Sequence, residues 1–228
     1  MRKIKVLELF SGYGTISEAF KKRGHIVATC DWDSYFKDRT TFNKDVRCLT
    51  VEEVASALGG TPDVIWASPD CTTYSVAGIW RHRREADGSL IPISDYAIRC
   101  DDTNKYVIEE LIPRLNPAIW FIENPRGGFR KMSFAKDLPR YTITYCQYGE
   151  TRMKPTDIFT NHPCPQFKPP CHNGDKCHEP APRGSNTSTT ALSGHYKRSQ
   201  IPQLLAEHIV DICENYFENI DRSREEQK

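Results

Sequence analysis

Two chemically capable side chains stand just beyond two apolar runs. Asp63-Val-Ile-Trp-Ala67 leads into Ser68-Pro69-Asp70-Cys71-Thr72-Thr73-Tyr74-Ser75, and Ala118-Ile-Trp-Phe-Ile122 leads into Glu123-Asn124-Pro125. Short apolar runs bounded by turn residues read as buried strands of a parallel sheet, so a thiol and a carboxyl group fall on one rim. A thiolate is a strong nucleophile, and a carboxyl group held as an acid offsets negative charge developing on the group attacked. The pairing predicts covalent catalysis, with Cys71 as nucleophile and Glu123 as acid.

Such a rim needs a chain that alternates strands and helices. Lys5 to Phe10 reads as a strand, Thr15 to Arg23 as a helix, Ile26 to Cys30 as a strand and Val51 to Leu58 as a helix before the strand ending at Ala67. Cys71 to about Asp101 is a polar loop. Val107, Ile108, Leu111 and Leu115 give Asn104 to Leu115 the spacing of an amphipathic helix, which Pro113 kinks or ends early. Tyr141 to Tyr145 and Asp157 to Thr160 are a candidate strand pair, and Leu204 to Tyr216 a last helix. The alternation predicts an α/β fold with a mainly parallel sheet. Asn161 to Ser193, rich in Pro, Gly, Ser, Thr, Cys and His, reads as a loop-built insert. The expected organisation is a core over 1–160, an insert over 161–195 and a returning helix over 196–228.

A chain of 228 residues is long enough for one well-buried core. With 31 Lys+Arg against 30 Asp+Glu, it is not a basic coat for nucleic acid. The middle is locally basic, through Arg126, Arg130, Lys131, Lys136, Arg140, Arg152 and Lys154, which suits either an anionic ligand or a solvated face. No stretch approaches the ~20 apolar residues of a membrane span, so a soluble, cytoplasmic monomer with no membrane partner is expected. Nine cysteines make an odd number for a disulfide framework. Cys30, Cys48, Cys146 and Cys213 read as reduced core thiols.

Phe10-Ser11-Gly12-Tyr13-Gly14 joins the first strand to the first helix, where glycines let a ligand approach the backbone and a helix N-terminus offers free N–H groups. Ser17 stands where a dinucleotide fingerprint has its third glycine. Asp31, at the end of the second strand, can hydrogen-bond ribose hydroxyls, and Trp32 offers a flat surface for an adenine. A nucleoside cofactor without an obligatory pyrophosphate fits this set, and S-adenosylmethionine is the obvious one.

Together these segments resemble the cytosine-5 DNA methyltransferases. Leu7 to Gly14 is similar to that family's first motif, Cys30-Asp31-Trp32-Asp33 to the pair that holds the cofactor's ribose and adenine, and Asp45-Val46 to its adenine contact. Asp63 to Gly78 resembles the segment of the catalytic cysteine, Glu123-Asn124 the Glu-Asn pair, and Tyr148-Gly149 with Arg152 and Lys154 the motif that holds the target base and its backbone. Arg198-Ser199-Gln200-Ile201-Pro202 is weakly like the closing motif of the cofactor pocket.

The resemblance implies a Rossmann-like class I methyltransferase, with Phe10, Gly12, Tyr13, Gly14, Asp31, Trp32, Asp45, Val46, Ser68 and Ser199 around S-adenosylmethionine and Cys71, Glu123, Asn124 and Arg152 at the reaction. It implies methyl transfer to carbon-5 of a cytosine flipped out of DNA, in a bacterium or phage-infected cell by analogy. Methylation of RNA cytosine, methylation of an exocyclic amine and a catalytically silent nucleic-acid binder are the rivals. Trp80-Arg81-His82-Arg83-Arg84 reads either as a solvated loop or as phosphate contacts by Arg81, Arg83 and Arg84, joined by Lys154.

Three departures stand out. Asp70 replaces the usual proline before the nucleophile, where its charge raises the thiol pKa or its carboxylate binds the base amine. Pro125 follows Glu-Asn, and Thr156 stands where a second arginine is usual. The insert is short for a target-recognition domain. Its Cys164, Cys171, Cys177 and His178, with six and then five residues between the cysteines, either form a tetrahedral structural zinc site or remain free thiols in a loop.

Overall fold

All four residues of the strand Val64–Ala67 are buried, as a strand covered on both faces requires. Val64 and Trp66 face one hydrophobic cluster, Ile65 and Ala67 the other. The computed structural model describes residues 2–180 and 195–226. In chain order the elements are β1 (Lys5–Leu9), α1 (Thr15–Lys22), β2 (Ile26–Cys30), α2 (Val51–Leu58), β3 (Val64–Ala67) and the short α3 (Ile79–His82). Then come β4 (Arg83–Ala86), β5 (Ser89–Pro92), α4 (Asp95–Tyr106), α5 (Ile112–Leu115), β6 (Ile119–Pro125), β7 (Arg140–Thr144), β8 (Pro155–Thr160), α6 (His195–Ser199) and α7 (Gln203–Glu225).

Six strands form one sheet in the order β2-β1-β3-β6-β8-β7. The first four are parallel, and β8 runs antiparallel to both β6 and β7. Leu9 pairs with Cys30 and with Ala67, and Ala67 pairs with Ile122. The carboxyl ends of β1, β2 and β3 are therefore level, followed by Phe10, Asp31 and Ser68, and at the same level β6 runs past Ile122 to Glu123 while it stays paired with β8. Helices α1 and α7 cover one face through Phe20, Leu205, Ile209 and Cys213. Helix α2 and the α4–α5 helix cover the other through Val54, Leu58, Val107 and Leu115.

Local sequence explains how the helices begin. Thr50 and Glu53 form a reciprocal capping box for α2, which ends on Gly59 in the left-handed conformation at φ 66°. Helix α1 has no side-chain cap from its own N-cap residue, Gly14. Glu8 of β1 serves instead, accepting from Ser17 N–H at 2.9 Å. Burial pushes this carboxyl group up to about 7, against the opposing pull of the helix N–H groups. Helix α7 is tied to α1 where Arg23 meets Asp211 at 2.5 Å and Glu214 at 2.6 Å.

Three segments differ from the sequence expectation. The polar loop after Cys71 contains α3 and the β4–β5 hairpin, and its last part is already helix, capped by the Ser94 hydroxyl, which accepts from Ala97 N–H at 3.2 Å. The helix neither kinks sharply nor ends early at Pro113. It widens into a π turn over Val107–Leu111 before α5, which begins with that proline at its first turn. Proline lacks an N–H and crowds the carbonyl four residues back, and a π turn removes that conflict. Helix α7 continues beyond Tyr216, because Phe217 still packs on the core beneath the Arg2 guanidinium. Among the described residues no helix is long and apolar enough to cross a membrane. Residues 161–180 contain no helix or strand, and the rest of the Asn161 to Ser193 stretch from 181 onward lies outside the described residues.

The loop leaving β6 docks on the Cys71 loop. Gly128 N–H donates to the Tyr74 carbonyl at 2.7 Å, and a Cβ on Gly127 would overlap that carbonyl oxygen. Gly127→Ala is expected to cost about 1–3 kcal/mol in denaturant unfolding, as overpacking does where backbone must move.

A second expectation concerns Glu8. Its folded pKa lies above the unfolded value of 4.5, so the unfolded chain ionises first as pH rises. The stability contributed at low pH is lost by the time pH passes about 7, a fall of about 3 kcal/mol. Glu8→Gln keeps an acceptor for Ser17 and removes this fall. Measured by denaturant titration, the variant should gain on the wild type between about pH 4.5 and about pH 8; parallel pH profiles would refute it.

Candidate functional site

A cleft opens where the level strand ends leave the sheet. It is lined by Glu8, Phe10, Ser11, Gly12, Tyr13, Asp31, Trp32, Ser68, Asp70, Tyr196 and Ser199 among others. It adjoins the gap between β1 and β3, where chain connections leave in opposite directions and ligands of α/β sheets usually bind. Phe10 holds the turn in the left-handed region at φ 57°, followed by Gly12 at φ 51°. Asp31 accepts from Gly12 N–H at 2.8 Å and from Asp33 N–H at 2.9 Å, one bond to each carboxylate oxygen. Each oxygen keeps a lone pair for a hydroxyl group. Trp32 is 72 % exposed beside it. The Ser11 hydroxyl is buried with no partner, the kind of unmet polar group that a ligand completes.

The cleft thus gathers Phe10, Gly12, Tyr13, Asp31, Trp32, Ser68 and Ser199, and omits three expected residues. Gly14 lies one step away as the N-cap of α1. Asp45 turns its carboxylate to Arg47 at 2.6 Å, and Val46 is buried in the core beneath β2. The sequence reading missed Glu8 and Tyr196. The Tyr196 ring stacks on Tyr35 with centroids 4.8 Å apart, and its hydroxyl donates to Asp33 at 3.1 Å, closing the cleft from the C-terminal segment.

Cys71 and Glu123 lie on the same rim. Burial pushes the Cys71 thiol up to about 11; Lys154 pulls it down, while Glu123 and Asp70 add to the rise. Asp70 therefore acts in the expected direction but behind burial. Its carboxylate accepts from Thr72 N–H at 2.7 Å and from the Tyr96 hydroxyl. Glu123 is buried in the middle of the β6–β8 pairing, opposite Ile158, and burial raises its pKa against the opposing effects of Lys154 and the Tyr145 hydroxyl, which donates to it at 2.8 Å. Lys154 stands 4.3 Å over the Tyr145 ring, so this lysine is the near cation of both groups. Asn124 donates its amide to the Pro69 carbonyl at 3.2 Å, and its Oδ1 is buried without a partner. Arg152 is buried, with Nε on Glu150 at 3.0 Å and Nη2 unpartnered.

The basic run divides between α3, which holds Arg81, and β4, whose alternation sends Arg83 inward and Arg84 outward. Arg81 and Arg84 are exposed, and Arg81 lies 4.8 Å from the ring of Trp80, itself 66 % exposed. Arg83 departs from the expectation of a nucleic-acid contact because its side chain is fully buried. It pairs with Asp101 at 2.6 Å and donates to the Thr73 carbonyl at 2.8 Å. In the basic middle, Arg130 is likewise paired with Asp157. The candidate metal set also changes. Cys164 is exposed and apart, and Cys146 takes its place beside Cys171, Cys177 and His178. Cys30 and Cys213 are buried as expected, but Cys48 is exposed.

Residues 4–127 match the C-5 cytosine-specific DNA methylase family. A probable DNA (cytosine-5)-methyltransferase of Frog virus 3 is 22 % identical over 232 residues, covering 92 % of this chain and the whole of that protein. The type II methyltransferase M.AplI of Arthrospira platensis is 30 % identical over 131 residues, which cover 55 % of this chain and 32 % of that one. Among solved structures, the Entamoeba histolytica methyltransferase EhMeth shares the fold with a TM-score of 0.51 at 14 % identity; the match covers 74 % of this chain and 56 % of that one. With more than half its length matched, including both the glycine-rich turn and the Cys71 loop, the chain belongs to the C-5 cytosine-specific DNA methylase family.

Proposed function

We propose that the protein methylates carbon-5 of cytosine in DNA through a covalent adduct on Cys71, with Glu123 as the acid. The observation that carries this reading is a thiol and a buried carboxyl group of raised pKa sharing one rim beside the cleft that Asp31 and Trp32 line. Phe10, Ser11, Gly12, Asp31, Trp32 and Ser199 are the residues that would hold S-adenosylmethionine, and the unmet Ser11 hydroxyl supports that fit. When bound, the cofactor supplies an electrophilic methyl group for carbon-5.

The chain's own groups prepare the acceptor. The Cys71 thiolate adds to carbon-6, the carbon-5–carbon-6 π bond shifts its electrons toward nitrogen-3, and that nitrogen takes the Glu123 proton. As carbon-5 is methylated, nitrogen-3 returns its proton to Glu123; a water molecule then takes the carbon-5 proton, and the pair left by that bond reforms the carbon-5–carbon-6 double bond and expels the Cys71 thiolate. Burial suits the acid and opposes the nucleophile. Lys154 offsets the second effect by favouring the thiolate. Asn124 Oδ1 and Arg152 Nη2, an unmet acceptor and donor, suit the amine and carbonyl of the base once it enters. Trp80, Arg81 and Arg84 present stacking and phosphate-binding groups on the outer face.

The test is to incubate the protein with labelled cofactor and duplex DNA or RNA, digest, and identify the modified nucleoside. 5-Methylcytosine from DNA is expected, with transfer reduced about 1000-fold or more in Cys71→Ala. Product from RNA alone would reassign the substrate, and transfer that survives in the variant would sink the covalent route. A 5-fluorocytosine duplex should trap wild-type protein and not the variant.

Lys154→Met checks the electrostatics. Removing this cation raises the pKa of both Cys71 and Glu123, so both limbs of the pH–rate profile should move to higher pH. A lower rate with an unmoved profile would assign Lys154 a merely structural role.

A further inference from the structure

Three sulfurs and one imidazole converge where the insert meets the core. The Sγ atoms of Cys146, Cys171 and Cys177 and a ring nitrogen of His178 all lie within 4.8 Å of one another. Cys146 belongs to the 3-10 turn Tyr145–Tyr148 that follows β7, whereas the other three come from the stretch after β8. The Cys177–Cys146 sulfurs are 3.7 Å apart, and His178 Nδ1 is 3.6 Å from Cys171 Sγ and 3.7 Å from Cys177 Sγ. Tetrahedral zinc with ordinary bond lengths places its ligand sulfurs about 3.8 Å apart and sulfur and nitrogen about 3.5 Å apart. Cys146 and Cys171, at 3.0 Å, are closer than that but far outside bonding distance.

The geometry points to a structural zinc site built from Cys146, Cys171, Cys177 and His178, which clips the insert onto the turn that carries Tyr145. Disulfide pairing would use two of the sulfurs and leave the third and the imidazole without a reason to converge. A Cys3His set uses all four and leaves no position open, which is the pattern of structural rather than catalytic zinc. Gln147 Nε2 donates toward Cys177 Sγ at 3.6 Å, the outer bond that ligand thiolates commonly receive.

The segment has need of such a clip. Residues 161–180 form no helix or strand, and their apolar anchorage is slight: Phe167 packs against the sheet's hydrophobic cluster, and Pro165 and Cys171 are buried. A few backbone bonds hold the segment, among them Cys171 N–H to the Thr144 hydroxyl at 3.0 Å and Glu179 N–H to the Thr151 carbonyl at 2.9 Å. Metal coordination supplies folding free energy where apolar burial is scarce. Which base the protein methylates has no bearing on the site.

The experiment is metal analysis of the full chain purified under reducing conditions without chelator, followed by cobalt titration of stripped protein. One zinc per chain is expected, with the visible bands of tetrahedral thiolate-bound cobalt. Cys177 and His178 lie at the surface side of the cluster, so Cys177→Ser and His178→Ala should stay folded by circular dichroism while cobalt affinity falls about 100-fold or more. Cys164→Ser should retain zinc and spectrum unchanged. Folded wild-type protein that holds no zinc and gives no tetrahedral cobalt bands would overturn the site, as would zinc that survives in both ligand variants or is lost in Cys164→Ser.

Discussion

The bond from the Asn124 amide to the Pro69 carbonyl joins the exit of β3 to the last residues of strand β6. Parallel neighbours share hydrogen bonds only as far as their last paired residues, here Ala67 and Ile122. Beyond that point β6 stays paired with β8 on its other side, whereas the chain leaving β3 must find new partners or face water. The side-chain bond extends the pairing past the sheet, and Gly128 N–H to Tyr74 O does so again farther out. The thiol loop and the carboxyl strand are thereby positioned by one continuous set of contacts.

That order comes with dehydration. The same packing that fixes Cys71 and Glu123 raises the pKa of both, which suits the role proposed for Glu123 and opposes the one proposed for Cys71. Asp70 deepens the imbalance, although its carboxylate is already engaged by Thr72 and Tyr96. Lys154 corrects it from β8's side of the site, braced over the Tyr145 ring. A cation held against an aromatic face loses less freedom than a solvated one and keeps its field directed at its neighbours.

Sheet and site were legible to different depths. Apolar runs marked the strands, and the residues after Leu9, Cys30, Ala67 and Ile122 were readable as rim residues because parallel strands in register end together. Arg83 was not readable. In a run of three arginines, only the alternation of β4 decides that Arg83 turns inward and Arg84 outward. Cys146 looked like any small apolar residue of a strand end, since its partners lie 25 and more positions later and beyond an intervening strand. Asp45 and Val46 carried a motif's letters, but Arg47 and the core claimed their side chains. The start of α4 escaped because its first turns are polar, and its capping serine was the one local signal.

Arg83 also sets how the site can move. Its guanidinium binds the Thr73 carbonyl, the Thr73 hydroxyl and the Asp101 carboxylate, and it lies over the Tyr74 ring. Pulling Cys71 toward a ligand without the hairpin would strand a buried charge, at a cost of several kcal/mol. The Cys71 loop, the β4–β5 hairpin and the first turns of α4 therefore form a single mechanical piece. Its outer edge is the surface bearing Trp80, Arg81 and Arg84. A force on that outer edge would reach the Cys71 sulfur through Arg83 and Thr73 as a shift of the whole piece rather than being lost in the loop.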